Sequence, residues 1–131
     1  MRPPTIFLIA VSAAAAVLCL ARQGWAHDCV VTDWAIARNV QASAPIDRGQ
    51  RFNIADRRIY TYVRLSCTRV EGPASFRFER NGHPHATVKL SLQPSTRWRT
   101  WASVRALPGN WRVVLEIEGH KLLDDTFAVS P

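Results

Sequence analysis

Period-two alternation of apolar and polar side chains, cut into short runs by turn-forming residues, constrains this chain more than any other feature. It is densest over residues 96–129. That stretch begins Thr96-Arg97-Trp98-Arg99-Thr100-Trp101, passes through Leu107-Pro108-Gly109-Asn110-Trp111-Arg112-Val113-Val114 and Glu118-Gly119-His120, and closes on Phe127-Ala128-Val129. It reads as three strands and two turns, the last turn at Gly119-His120. The alternation continues upstream. In residues 59–67, Ile59, Thr61, Val63, Leu65 and Cys67 share one face and Tyr60, Tyr62, Arg64 and Ser66 the other. In residues 75–80, Phe76 and Phe78 point inward and Arg77 and Glu79 outward. Asn81-Gly82 then supplies the positive φ that a tight hairpin turn needs. Val88, Leu90 and Leu92 follow on one face. Residues 32–38 put Trp34 and Ile36 on one side, while residues 42–53, with Pro45, Asp47 and Gly49, read as loop. The sole helical candidate is a turn at residues 53–58. About seven strands at short spacing predict an all-β, immunoglobulin-like antiparallel β-sandwich.

The N-terminus lies outside that pattern. Arg2 gives a basic start, residues 6–20 form an uncharged apolar run of about 15 residues, and Arg22 and Gln23 end it. That run is short for a membrane span and suits a signal peptide; an uncleaved anchor is the alternative. Gly24 and Ala26 occupy the −3 and −1 positions of a cleavage site. Residues 1–26 are therefore expected to be a signal peptide and residues 27–131 a single domain, periplasmic or secreted, with no membrane span after cleavage. Formal net charge is +7 for the whole chain and falls to about +5 without Arg2 and Arg22. A basic domain in that compartment is expected to meet an anionic envelope component (glycan, lipid head group or protein) rather than nucleic acid.

Cys29 and Cys67 remain after cleavage. A pair in a small exported domain predicts a disulfide; the alternative is two free thiols. Phased inward on its strand, Cys67 is where a bond could join sheets.

The order and spacing of several short pieces carry a resemblance to a bacterial family, the domain of unknown function 2914. These pieces are Pro45-Ile46-Asp47, Tyr60-Thr61-Tyr62-Val63, Gly72, Arg77, Asn81-Gly82, Arg97-Trp98-Arg99, Trp101-Ala102-Ser103, Gly109-Asn110-Trp111-Arg112-Val113, Gly119 and Phe127. The similarity runs over residues 34–129. The family carries His-Arg-Trp before its Asn-Gly turn, where this chain has Phe76-Arg77-Phe78. The resemblance implies a small extracytoplasmic β domain and no reaction.

Arg97, Arg99 and Trp101 are expected on one face of their strand, with Trp98 and Thr100 on the other. They form a candidate surface patch, with Arg77 joining from a neighbouring strand. Arginine beside indole is enriched in binding hot spots. Trp98 and Trp111 are assigned to the core, Trp111 being in phase with Val113, Leu115 and Ile117. His83-Pro84-His85, with His27 as a new N-terminus, offers an alternative metal (copper-like) site, although a convincing one needs three or four convergent ligands. A small cell-wall-active enzyme is the other alternative. It would need an acid pair, yet Asp124 and Asp125 should point to opposite faces, and Glu116 and Glu118 read as a salt-bridged surface. The leading expectation is a non-catalytic binding or interaction module of the bacterial envelope, without a cofactor.

Overall fold

A computed structural model describes residues 28–131. The expected signal peptide, its cleavage site and His27 lie outside the described residues. Nine strands are present: β1 (Cys29–Gln41), β2 (Ala44–Arg48), β3 (Arg51–Asn53), β4 (Arg58–Cys67), β5 (Ala74–Arg80), β6 (His83–Leu90), β7 (Ser95–Arg105), β8 (Gly109–Ile117) and β9 (His120–Ser130), with a 3₁₀ turn at Ile54–Asp56. They form two sheets, ordered β2-β1-β4-β7 and β3-β9-β8-β5-β6. All pairings are antiparallel except that of β3 with β9.

The core between the sheets follows the alternation. The first sheet contributes Ile36, Ile59, Val63, Leu65 and Val104, and the second contributes Phe76, Phe78, Trp111, Val113, Leu115 and Phe127. Ile59, Val63, Leu65, Phe76, Phe78, Val113 and Leu115 are all 0% exposed. Burying such side chains stabilises by roughly 1.5–3 kcal/mol each, which is why the pattern specifies a two-layer sandwich.

The seven expected strands are β1 and β4 to β9. The two additional ones lie in residues 42–53, the stretch expected to be loop. β2 folds back on β1 through Ala42 and Ser43, both at positive φ (49° and 56°), and neither residue type advertises that conformation. Pro45 is tolerated because β2 is an edge strand, where a missing N–H costs no ladder bond. β3 is three residues long, too short to show a period.

The last hairpin also differs from expectation. Its turn is Glu118-Gly119, at φ 54° and 79°, matching Asn81-Gly82 at φ 51° and 79°. Glu118 tolerates the left-handed backbone because it is held on two sides: its N–H donates to the Pro73 carbonyl at 2.8 Å, and its carboxylate accepts from the Glu71 N–H at 2.7 Å. Gly72 makes room for it, since a Cβ there would lie 2.5 Å from Glu118 Cγ.

Trp34 departs from its expected burial. It pairs with Val63 in the inward register yet is 49% exposed. β2 covers β1 only from Ala37 onward, so Trp34 sits at the open margin between the sheets, its Nε1 donating to Asp125 at 3.3 Å.

Thr61 is 0% exposed and its hydroxyl has no hydrogen-bond partner. A buried unsatisfied polar group costs about 1–3 kcal/mol. Thr61→Val, near-isosteric without the hydroxyl, is therefore expected to stabilise the domain by about 1 kcal/mol or more. A urea midpoint at or below that of the wild type would contradict this.

Candidate functional site

The outward face of the first sheet is built by β1, β4 and β7, whose registers place side chains in rows. Tyr62 stands opposite Ala35 on β1 and Trp101 on β7; Arg64 stands opposite Asp33 and Arg99; Arg58 stands opposite Arg105. Tyr62 is only 3% exposed despite its outward phase, whereas Trp101 is 41% exposed. The centre of this face is thus an aromatic floor with one indole open to solvent and arginines above and below it.

Two of those rows set arginine against arginine on adjacent strands. Like charges directly opposite in an antiparallel pair are destabilising. Local bonds orient the side chains without neutralising them. Arg58 donates to the Ser103 hydroxyl at 2.8 Å and carbonyl at 3.1 Å, and Arg64 to the Thr32 hydroxyl at 3.2 Å. Asp33 is the one carboxylate in the outward phase of these three strands. Arg48 already takes it through two bonds, at 3.2 and 3.0 Å, and that contact holds the Asp33 carboxyl below its ordinary pKa. Arg97, Arg99 and Arg105 have no acidic partner among the described residues.

The outward face of the second sheet is the opposite case. Arg77 pairs with Glu116 at 3.0 Å, and Arg112 with Asp124 at 2.6 Å and Glu79 at 3.5 Å, while Lys121 also reaches Asp124 at 3.1 Å. Arg112 first, and Lys121 after it, hold the Asp124 carboxyl well below the usual carboxylate range. Charge along the centre of this side is internally paired, while Lys89 and Arg51 on the two edge strands have no acidic partner among the described residues.

The structure therefore brings Arg97, Arg99 and Trp101 together on β7, with Arg97 in the bulge of the β4–β7 ladder. It does not bring Arg77 to them. Arg77 is on β5, in the other sheet, facing the opposite side of the sandwich. The residues that do join them are Arg58, Arg64 and Arg105. Alternation had phased Arg64 outward, but nothing in the sequence says that β4 lies beside β7.

Most of the remaining candidates have structural partners. His85 packs edge-on against Trp111, ring centroids 4.8 Å apart, and His83 begins β6. No group of three or more His, Cys, Asp or Glu side chains converges among the described residues. Asp124 and Asp125 diverge, Asp124 towards Arg112 and Asp125 towards Trp34 and Gln50. Glu116 and Glu118 do not act as a pair, since Glu116 holds Arg77 and Glu118 braces its turn. Cys29 and Cys67 are joined in a disulfide with Cα atoms 4.0 Å apart. They are direct cross-strand neighbours on β1 and β4, so the bond lies within one sheet and does not join the two.

Fold and surface together define an immunoglobulin-like β-sandwich with one cationic face. A crystal structure of an immunoglobulin-like protein from Pseudomonas aeruginosa is similar at 13% identity, TM-score 0.61, covering 78% of this chain and 96% of that one. The Pseudomonas fluorescens alkylpurine DNA glycosylase AlkC, solved bound to DNA containing an abasic site analog, is similar at 14% identity and TM-score 0.55; the match covers 80% of this chain but 31% of the glycosylase. At such identities the likeness concerns the fold. No curated protein matches the sequence. Residues 75–129 match the model of the family described as protein of unknown function (DUF2914), which bears out the resemblance over β5 to β9.

Several residues carrying that resemblance now have a structural account. The Asn81 side chain accepts from the Asn110 N–H at 2.9 Å, and Asn81 N–H donates to the Asn110 carbonyl at 2.7 Å. Gly109, at φ 143°, lies so close that a Cβ would stand 2.7 Å from the Asn81 amide oxygen. Asn81-Gly82 and Gly109-Asn110 are two halves of one lock between the β5–β6 turn and the start of β8. Phe76 is fully buried core.

Proposed function

We propose that this domain is a non-catalytic binding module of the cell envelope, and that it holds an anionic partner against the outward face of β4 and β7. The observation carrying this reading is the direct opposition of Arg64 to Arg99 and of Arg58 to Arg105, flanking exposed Trp101. The opposition costs the fold stability, and a bound anion offsets the cost. Forked guanidinium donors suit carboxylate or phosphate oxygens, and an indole face adds apolar contact. The Cys29–Cys67 bond supports an oxidising, extracytoplasmic setting, which also weighs against nucleic acid as the partner. A family of unknown function and an immunoglobulin-like fold are compatible with a protein that is not an enzyme.

The test is the double variant Arg64→Ala, Arg99→Ala. Binding to isolated envelope is expected to fall by about tenfold or more, on the scale of one lost charge-assisted bond. Wild-type binding should weaken with salt, because exposed charges are screened within about 8 Å at physiological ionic strength. Thermal stability should stay level or rise slightly as the like-charge opposition goes. A folded variant that binds with unchanged affinity and salt dependence would sink the proposal.

A further inference from the structure

A second concentration of arginine lies at one end of the sandwich, and it is concave where the sheet face is open. Arg57, Arg58 and Arg105 surround a cavity whose apolar lining includes Ile54, Leu107 and Pro108. The 3₁₀ turn builds its rim. Asn53 caps the turn, its side chain accepting from the Ala55 N–H at 2.9 Å, while Asp56 accepts from the Asn53 N–H at 2.8 Å. The turn leaves Ile54 46% exposed and delivers Arg57 beside it.

Arg57 adopts φ 65°, ψ −49°, close to the positive-φ γ-turn, a rare and strained conformation. Two backbone bonds fix it there: its N–H donates to the Ile54 carbonyl at 3.1 Å, and its carbonyl accepts from the Ala106 N–H at 2.8 Å. Glycine would take this backbone without the steric cost. Nor does the Arg57 side chain repay the cost through an ion pair within the fold. The adjacent Asp56 carboxylate is engaged by Arg38 at 3.1 Å and by the Asn53 N–H, and Arg57 has no acidic partner among the described residues. An observed backbone outlier bearing an uncompensated charge at a cavity rim is the kind of strain that marks a ligand site.

The lining defines the ligand. The guanidinium groups of Arg57 and Arg105 offer the forked donors that match phosphate oxygens, and Arg58, its Nε and Nη2 given to Ser103, adds its charge beside them. An exposed isoleucine and an apolar floor among them favour hydrocarbon next to the anion, which a free inorganic ion does not supply. We propose that this end cavity seats the phosphate head group of an anionic phospholipid, so that the domain meets a membrane end-on. Ile54 enters the interfacial layer while Arg57 and Arg105 reach phosphates. The inference rests on the anionic-partner reading and shares Arg58 and Arg105 with that face, but Ile54 and Arg57 belong to the cavity alone.

Those two residues make the test separable. The purified protein is titrated with phosphatidylcholine vesicles, with and without phosphatidylglycerol. The wild type should prefer the anionic vesicles by about tenfold or more, since each arginine near such a surface contributes about 1 kcal/mol. Arg57→Gly should weaken that binding about fivefold while its Tm stays level or rises, because glycine relieves the backbone. Ile54→Ser should weaken it as well. Inorganic phosphate at millimolar concentration should compete little; full competition would mean a free-phosphate site and overturn the lipid assignment. If both cavity variants bind vesicles as the wild type does, or the wild type shows no preference for phosphatidylglycerol, the cavity proposal fails. The Arg64→Ala, Arg99→Ala variant then decides the broader reading: loss of envelope binding keeps it, and retention removes both.

Discussion

Trp111→Ala is expected to destabilise the domain by about 3–5 kcal/mol, the usual range for truncating a buried large aromatic. Trp111 is 2% exposed and lies in the second sheet at the centre of an aromatic stack. Its ring is parallel to that of Phe127, with centroids 5.6 Å apart and planes 7° apart, and Phe127 in turn meets Phe52 edge-on at 6.1 Å. Its Nε1 donates to the Leu107 carbonyl at 2.9 Å, so truncation both opens a cavity and leaves a carbonyl without its donor. Trp101→Ala is the control. Its side chain is 41% exposed, and surface substitutions of that kind cost within about 0.5–1 kcal/mol. Urea unfolding with unchanged m-values should separate the two variants clearly. Equal shifts in midpoint would mean that Trp111 does not anchor the core.

The contrast between these two tryptophans was readable without coordinates because a strand repeats every two residues. Once Val113, Leu115 and Ile117 are assigned inward, Trp111 goes with them. The same rule placed Ile59, Val63 and Leu65 in the core and Arg99 and Trp101 outside it. It fails where burial has a cause other than phase. Tyr62 is outward yet buried, because its neighbours across the strands are Ala35 and Trp101. Trp34 is inward yet half-exposed, because β2 does not reach that length of β1 and leaves one edge of it open. The period is equally silent about which strand neighbours which. Arg77 and Arg99 look alike in sequence, both outward arginines next to an aromatic residue, and only the pairing order separates them. β5 lies between β6 and β8 and meets Glu116 of β8, whereas β7 lies beside β4 and meets Arg64. Charge compensation is a property of neighbours across strands, so the cationic face was half-visible at best. Of the end cavity only the turn at residues 53–58 was visible, because the positive φ that sets Arg57 at the rim belongs to an ordinary arginine.

Removing the disulfide by Cys29→Ala, Cys67→Ala is expected to cost up to about 4 kcal/mol, the chain-entropy value for a closed loop of this length. The cysteines are 38 residues apart in sequence and direct partners at the end of the β1–β4 ladder, which runs, with a bulge between Val31 and Asp33, to Ala37 opposite Tyr60. Native contacts already secure that end without the cross-link. The Thr68 N–H donates to the Asp28 carbonyl at 2.8 Å, and Arg69 pairs with Asp28 at 3.1 Å. The double variant should therefore reach the same folded structure, and the loss should fall on the unfolded chain, which gains the freedom the bond had removed. That origin has its own signature. A less constrained denatured state exposes more surface, so the m-value should rise as the stability falls. For a domain whose total stability is of order 5–15 kcal/mol, a 4 kcal/mol loss removes a large share, and reduction in solution should have the same effect as substitution. A stability change below about 1 kcal/mol with an unchanged m-value would show that the bond constrains neither state, and the stabilising role assigned to it would be wrong.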